Sequence, residues 1–208
     1  MKALSRARRT DEAGQGLIEF ALLLPVFALL LLGMLEFGLA FNHHLTIEYA
    51  TREGARVGSA LATGGRTNCL TGGDIYQIDE QTLAAVQRIL KSPGSPVNLA
   101  NVAEIRTYRA DSAGNQVSTQ ANIWGYTPGA GPNIDPTGTD RLDFSPQTPG
   151  WPVCSRLNGA TPDSIGVSIS YTYAFTTPLG TLMSFFGGAN LARLAVYDRT
   201  VMALNPDG

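Results

Sequence analysis

The 208-residue sequence predicts an α+β protein. A long N-terminal transmembrane helix packs its outer half on a small antiparallel sheet, and the extracytoplasmic region is rich in loops. Three observations carry this expectation. Residues 17–35 form an apolar run in which Glu19 is the only charge. Ala50, Gly54, Val57, Gly58 and Leu61 then recur at helical spacing. Near the other end, Ile165, Val167, Ile169, Tyr171, Tyr173 and Phe175 alternate with small or polar residues, the period of a half-buried strand.

The apolar run comes first. As a helix, residues 17–35 span about 28 Å, close to the roughly 30 Å of a bilayer's hydrocarbon core. Lys2, Arg6, Arg8 and Arg9 precede it. A basic flank stays in the cytoplasm, which directs the chain beyond Phe41 outward and sets the span at 17–41. A cleaved secretory signal is the competitor. Such a signal has a shorter apolar region and a small-x-small site, and Gly38-Leu39-Ala40 is a poor version of one. Pro25 should kink the helix, because it removes a ladder bond and clashes with the preceding turn. Glu19 is the anomaly, since a carboxylate in hydrocarbon is expensive and marks a functional position.

The small-residue stripe from Ala50 to Leu61 continues the helix beyond the membrane and is expected to serve close helix packing, with Arg52, Glu53 and Arg56 on the other face. Gly64-Gly65 stops it. The chain thus divides into a basic N-terminal flank, an N-terminal helix ending at 62 and an extracytoplasmic α+β domain at 63–208. A second helix is expected over 79–91, capped by Asp79 or a neighbour, with Leu83, Val86 and Leu90 as its stripe and Ser92-Pro93-Gly94 as its end. Residues 102–109 and 116–119 flank a Gly-containing turn and predict a hairpin. Residues 121–163 lack any period and read as a long loop region. Residues 179–186 suit a short helical connector. Residues 191–204 fit strand or helix on pattern, with strand preferred. No internal repeat is present.

The remaining chemistry is sparse. The formal charge is −2, so no basic surface points to nucleic acid. Cys69 and Cys154 both follow the span. They predict one disulfide in an oxidising compartment, the alternative being two buried thiols. The segment from Asn133 to Asp140 mimics the start of a calcium loop, but Phe144 stands where the closing glutamate belongs. A turn with Asx bonds is preferred there, and no metal site is expected. His43 and His44 point about 100° apart on a helix and cannot chelate one ion; both read as interfacial polar residues. No catalytic set, phosphate loop or cofactor motif can be read. The expectation is a structural protein and not an enzyme.

One constellation says more. A cut after Gly14 would make Gln15 the new N-terminus and place Glu19 fifth, followed by Phe20 and the span. This resembles the class III signal of type IV pilin-like proteins, in the Gly-x-x-x-x-Glu-Phe form of the Tad/Flp branch. Gly14-Gln-Gly-Leu-Ile-Glu-Phe-Ala-Leu-Leu-Leu-Pro25, then Leu35-Glu-Phe-Gly38, then Tyr49-Ala-Thr-Arg-Glu-Gly-Ala-Arg56 resemble the N-terminal signature of the TadE-like pseudopilin family. The resemblance covers roughly residues 14–60. Leu39 departs from it, since a basic residue is expected after Glu-Phe-Gly.

The resemblance implies a pilin-like fold and a minor pilin or pseudopilin of a tight-adherence pilus or a related secretion filament. A prepilin peptidase would cut between Gly14 and Gln15, which makes 1–14 a leader and 15–62 the N-terminal helix of the mature chain. Glu19 and Phe20 would then serve assembly and register, and the N-terminal helices would pack against other pilin or pseudopilin subunits on an inner-membrane assembly platform. The protein would sit in the bacterial cytoplasmic membrane with its C-terminal domain outside, and finally in a filament. The alternative is an unprocessed, membrane-anchored binding module that grips glycan or protein with Trp124, Tyr126 and Trp151.

Overall fold

Good helix formers dominate the first quarter of the chain, and one helix, α1 (Arg9–Leu61), runs through it. Pro25 lies inside α1, which continues across it although the carbonyl of Ala21 loses its usual amide partner. The computed structural model describes residues 9–61, 77–134 and 137–205, with side chains from residue 14 onward. They form two compact units. The first joins the described residues up to Ala40 with Ala174–Arg193, and the second joins Phe41–Tyr173 with the chain from Leu194.

Within the first unit, the expected connector is helix α3 (Pro178–Gly187). Thr177 is its N-cap residue, and Pro178 supplies a preset φ at the first helical position. Gly188 ends it at φ 78°, and its N–H donates to the Ser184 carbonyl at 2.9 Å.

The second unit holds helix α2 (Gln77–Leu90) and most of a five-stranded sheet. The strands are β1 (Val102–Ala110), β2 (Gln116–Tyr126), β3 (Phe144–Thr148), β4 (Ser164–Ala174) and β5 (Arg193–Ala203), in the order β3-β2-β1-β4-β5. β1 pairs antiparallel with both β2 and β4, and β2 with β3. The predicted hairpin is present. The Asp111 carboxylate accepts the N–H groups of Ala113 and Asn115 at 2.9 and 2.8 Å, an Asx-type turn.

β4 is covered on both faces, which explains why residues 165–169 are all buried. On one face α1 packs against Ile165 and Val167. On the other, the Tyr108 ring lies over Gly166, the residue it pairs with. The outer part of α1 therefore packs on a small antiparallel sheet, as expected.

The region 121–163 differs from the loop expectation. β2 continues to Tyr126, carrying Ala121, Asn122 and Trp124 into the core, and β3 pairs with it. A buried network also fixes the following segment. Arg156 donates to both carboxylate oxygens of Asp79 at 2.8 Å, and both side chains are completely buried. Asn122 donates to Asp79 and to the Trp151 carbonyl, and accepts the N–H groups of Gly150 and Trp151. The Arg156 guanidinium lies 4.3 Å from the centre of the Trp151 ring. Asp79 sits in the first turn of α2, but its carboxylate turns inward to Arg156 and is no cap.

Candidate functional site: the uncovered half of the first helix

A core helix of a water-soluble protein buries its apolar face. The inner half of α1 does not. Leu17 and Leu22 each remain 71% exposed, and the most apolar window of the helix buries none of its residues. By length and composition this is the one helix among the described residues that can cross a membrane. It anchors the C-terminal domain to the bilayer.

The predicted processing and assembly residues lie at the start of this surface. Gly14 and Gln15 are exposed, and a side chain added at Gly14 would meet nothing within 4 Å. The fold does not require glycine there. Glu19 is also exposed, and the Gln15 side-chain amide donates to it at 3.1 Å, one helical turn away. Phe20 lies uncovered beside it. Gly33 and Gly38, further along, likewise face open space.

A second acid at the outer end of the run behaves differently. Glu36 is only 3% exposed. Its two oxygens accept the backbone N–H groups of Thr176 and Thr177 at 2.9 and 3.0 Å, just before α3. In the sequence Glu36 stands out only as part of the Leu35–Gly38 signature, which gives it no role of its own. The available signal was an acid at the end of a span together with a Thr-Thr-Pro helix start far downstream.

The stripe from Ala50 to Leu61 is used inside the chain itself. Ala50, Gly54 and Gly58 are buried, and Val57 and Leu61 are half-buried. A Cβ on Gly54 would stand 2.6 Å from Val86 and 3.3 Å from Val167; one on Gly58 would stand 2.8 Å from Ile165 and 3.0 Å from Thr82. These glycines let α1 approach α2 and β4 closely. Beside them Thr51 bonds to Asp198 and, at 3.1 Å, to Thr200, which ties α1 to β5.

His43 stacks on Tyr171 with centroids 5.6 Å apart and meets Tyr173 edge-on at 4.8 Å. Burial lowers its pKa below the ordinary histidine value. In the calcium-like segment, Asp135 lies outside the described residues. Asp140 and Asp143 bind Lys91 at 3.0 and 3.2 Å, and their hydrogen bonds raise the lysine pKa. Among the described residues no cluster suits a metal ion. Cys154 falls in a short 3-10 turn, Val153–Ser155. Cys69 lies outside the described residues, and the predicted pairing with it.

The binding-module alternative meets a correction. Trp124 and Trp151 are completely buried and cannot grip a ligand; Tyr126 is half-buried with its ring 6.0 Å from that of Phe144. Large aromatics in a Gly/Pro-rich stretch suggested exposed loops, but they are the anchors of β2 and the buried network.

Comparison with known proteins agrees with the placement of the uncovered helix. The family model described as TadE-like protein matches residues 14–56. No curated protein and no solved structure matches the chain. The match begins at Gly14 and ends at Arg56, taking in the membrane span and the start of the small-residue stripe, Ala50 and Gly54. Over residues 14–56, then, this chain is similar to the TadE-like family.

Proposed function

We propose that the chain is a structural minor pilin or pseudopilin of a Tad/Flp-type filament or a related secretion system. A prepilin peptidase cuts it between Gly14 and Gln15. The mature subunit stays in the bacterial cytoplasmic membrane with its large domain outside, until an inner-membrane platform packs its helix among those of other pilin subunits. The observation that carries this reading is a TadE-like segment whose most apolar window buries none of its residues. In hydrocarbon, helices associate through small residues that admit close approach, and Gly33 and Gly38 leave such room.

The mature N-terminus tests the reading. Mass spectrometry should find Gln15 first in envelope protein, and Gly14→Leu should retain the leader. Cutting removes four basic and two acidic residues, leaving 11 against 15, so the formal charge goes from −2 to −4. Wild-type protein beginning at Met1 in a host that makes the filament would sink the proposal.

Glu19 supplies the register. In a filament it is buried, and an unpaired buried carboxylate is costly whereas a partnered one is tolerated. Its partner is the new amine of Gln15, on its own chain or a neighbouring one. Glu19→Ala should leave cleavage intact and lower incorporation into sheared filaments; equal incorporation removes the registry role. Cys69 and Cys154 form a disulfide in this setting, readable as a two-proton mass difference on reduction.

A further inference from the structure

Two adjacent phenylalanines on α3 lack any cover. Phe185 is 83% exposed and Phe186 78%, and Leu182 and Leu191 are partly exposed nearby. No Asp, Glu, Lys or Arg occurs from Ser164 to Ala192. Exposed aromatics in an uncharged stretch mark an interaction surface.

The surroundings of α3 define its partner. It belongs to the same compact unit as the membrane-spanning part of α1. Glu36 fixes its start through the N–H groups of Thr176 and Thr177. Residues 17–35 occupy about 28 Å of helix, so Glu36 stands at the outer edge of a hydrocarbon core of about 30 Å. α3 therefore begins at that level. Its ten residues make about 15 Å of helix, too short to cross.

Two polar groups of α3 bond locally, although the Thr177 hydroxyl at its N-cap is buried without a partner. Pro178 has no N–H to leave unpaired, the Gly180 N–H bonds to the Thr177 carbonyl at 2.9 Å, and the Ser184 hydroxyl bonds to the Thr181 carbonyl at 2.8 Å. Backbone groups satisfied within the element are what a bilayer demands.

We propose that α3 is a second membrane-contacting element, with Phe185 and Phe186 in the outer interfacial layer of the bilayer that α1 crosses. The proposal rests on the reading of α1 as the span, to which Glu36 joins the start of α3. Phenylalanine and leucine on a helix lying at the interface sink into the boundary between headgroups and acyl chains. Without charge, α3 takes its affinity from apolar area, and an uncharged bilayer is sufficient.

Tryptophan emission from the full chain in neutral phosphatidylcholine nanodiscs tests this. Trp124 and Trp151 are buried in the second unit and supply a constant background. In Phe185→Trp, brominated lipid should remove more than half of the added emission, and Phe186→Trp should behave alike. Both positions are exposed, so neither substitution disturbs the core. Leu29→Trp in the span is the control. Quenching of Leu29→Trp without quenching of either α3 variant overturns the proposal and leaves the span standing. Failure of all three removes the span reading and the proposal with it. Protection from aqueous iodide without lipid quenching assigns the phenylalanines to a protein partner, such as a second copy, and also overturns it.

Discussion

The carboxyl group of Glu36 accepts the backbone N–H of Thr177 at 3.0 Å, across 141 residues of sequence. With the Thr176 contact it makes a two-point clamp between a membrane helix and the start of α3. Glu36→Ala leaves two donors unpaired, at a cost of about 1–3 kcal/mol. Since 1.4 kcal/mol is a factor of about ten, the amides of residues 176 and 177 should exchange hydrogen about tenfold faster or more. Unchanged exchange would mean the clamp carries no energy.

The buried glycines of α1 should resist even a methyl group. Gly54→Ala and Gly58→Ala gain about 1 kcal/mol of helix propensity but overpack against Val86 and Ile165, which costs about 1–3 kcal/mol. Both should lower the denaturation midpoint. Gly33→Ala meets nothing and should not. If Gly33→Ala still lowers filament incorporation, a neighbouring helix packs there.

Arg156→Ala abandons the buried Asp79 carboxylate and should cost about 3–5 kcal/mol. Asp79→Leu combined with Arg156→Met removes both charges and should recover a large part of that loss. Trp151, under the guanidinium, reports the unfolding by its emission. Additive losses in the double variant would argue against a coupled pair.

His43 adds an acid-sensitive component. Its pKa is lowered in the folded chain by burial, so folding favours the neutral ring. That contribution is complete above the unfolded value of about 6.5. It is lost as pH falls through the lower folded value, because the proton then binds the unfolded chain first. Urea midpoints at pH 7.5 and pH 5 should drop less in His43→Gln than in wild type. Identical drops would exclude His43 as a source.

Elements with a regular apolar face were legible in the sequence. The span, α2, the first hairpin and β4 all follow from periodicity, and the residues of the TadE-like segment carried their own signature. β3 was not legible. It is a five-residue edge strand containing Pro146, and only Phe144 within it is buried, so no alternation marks it. A proline is tolerated at such an edge. The polar pairs were invisible for another reason. Asp79 meets Arg156 across 77 residues, and Glu36 meets Thr176 across 140. Local pattern holds no information on which distant group satisfies a buried acid.

The chain enters the second unit at Phe41, leaves after Tyr173 and re-enters at Leu194. A protease that severs α1 near residue 40 would therefore not shed a clean ectodomain. The released fragment would keep the excursion that carries Phe185 and Phe186, and would stay associated with lipid or aggregate. Liberating a water-soluble domain requires a second operation: excision of residues 175–192 and closure of β4 onto β5, its neighbour in the sheet, with a short turn. The route through the fold thus makes the C-terminal domain hard to detach from the membrane by any single cut in its anchor.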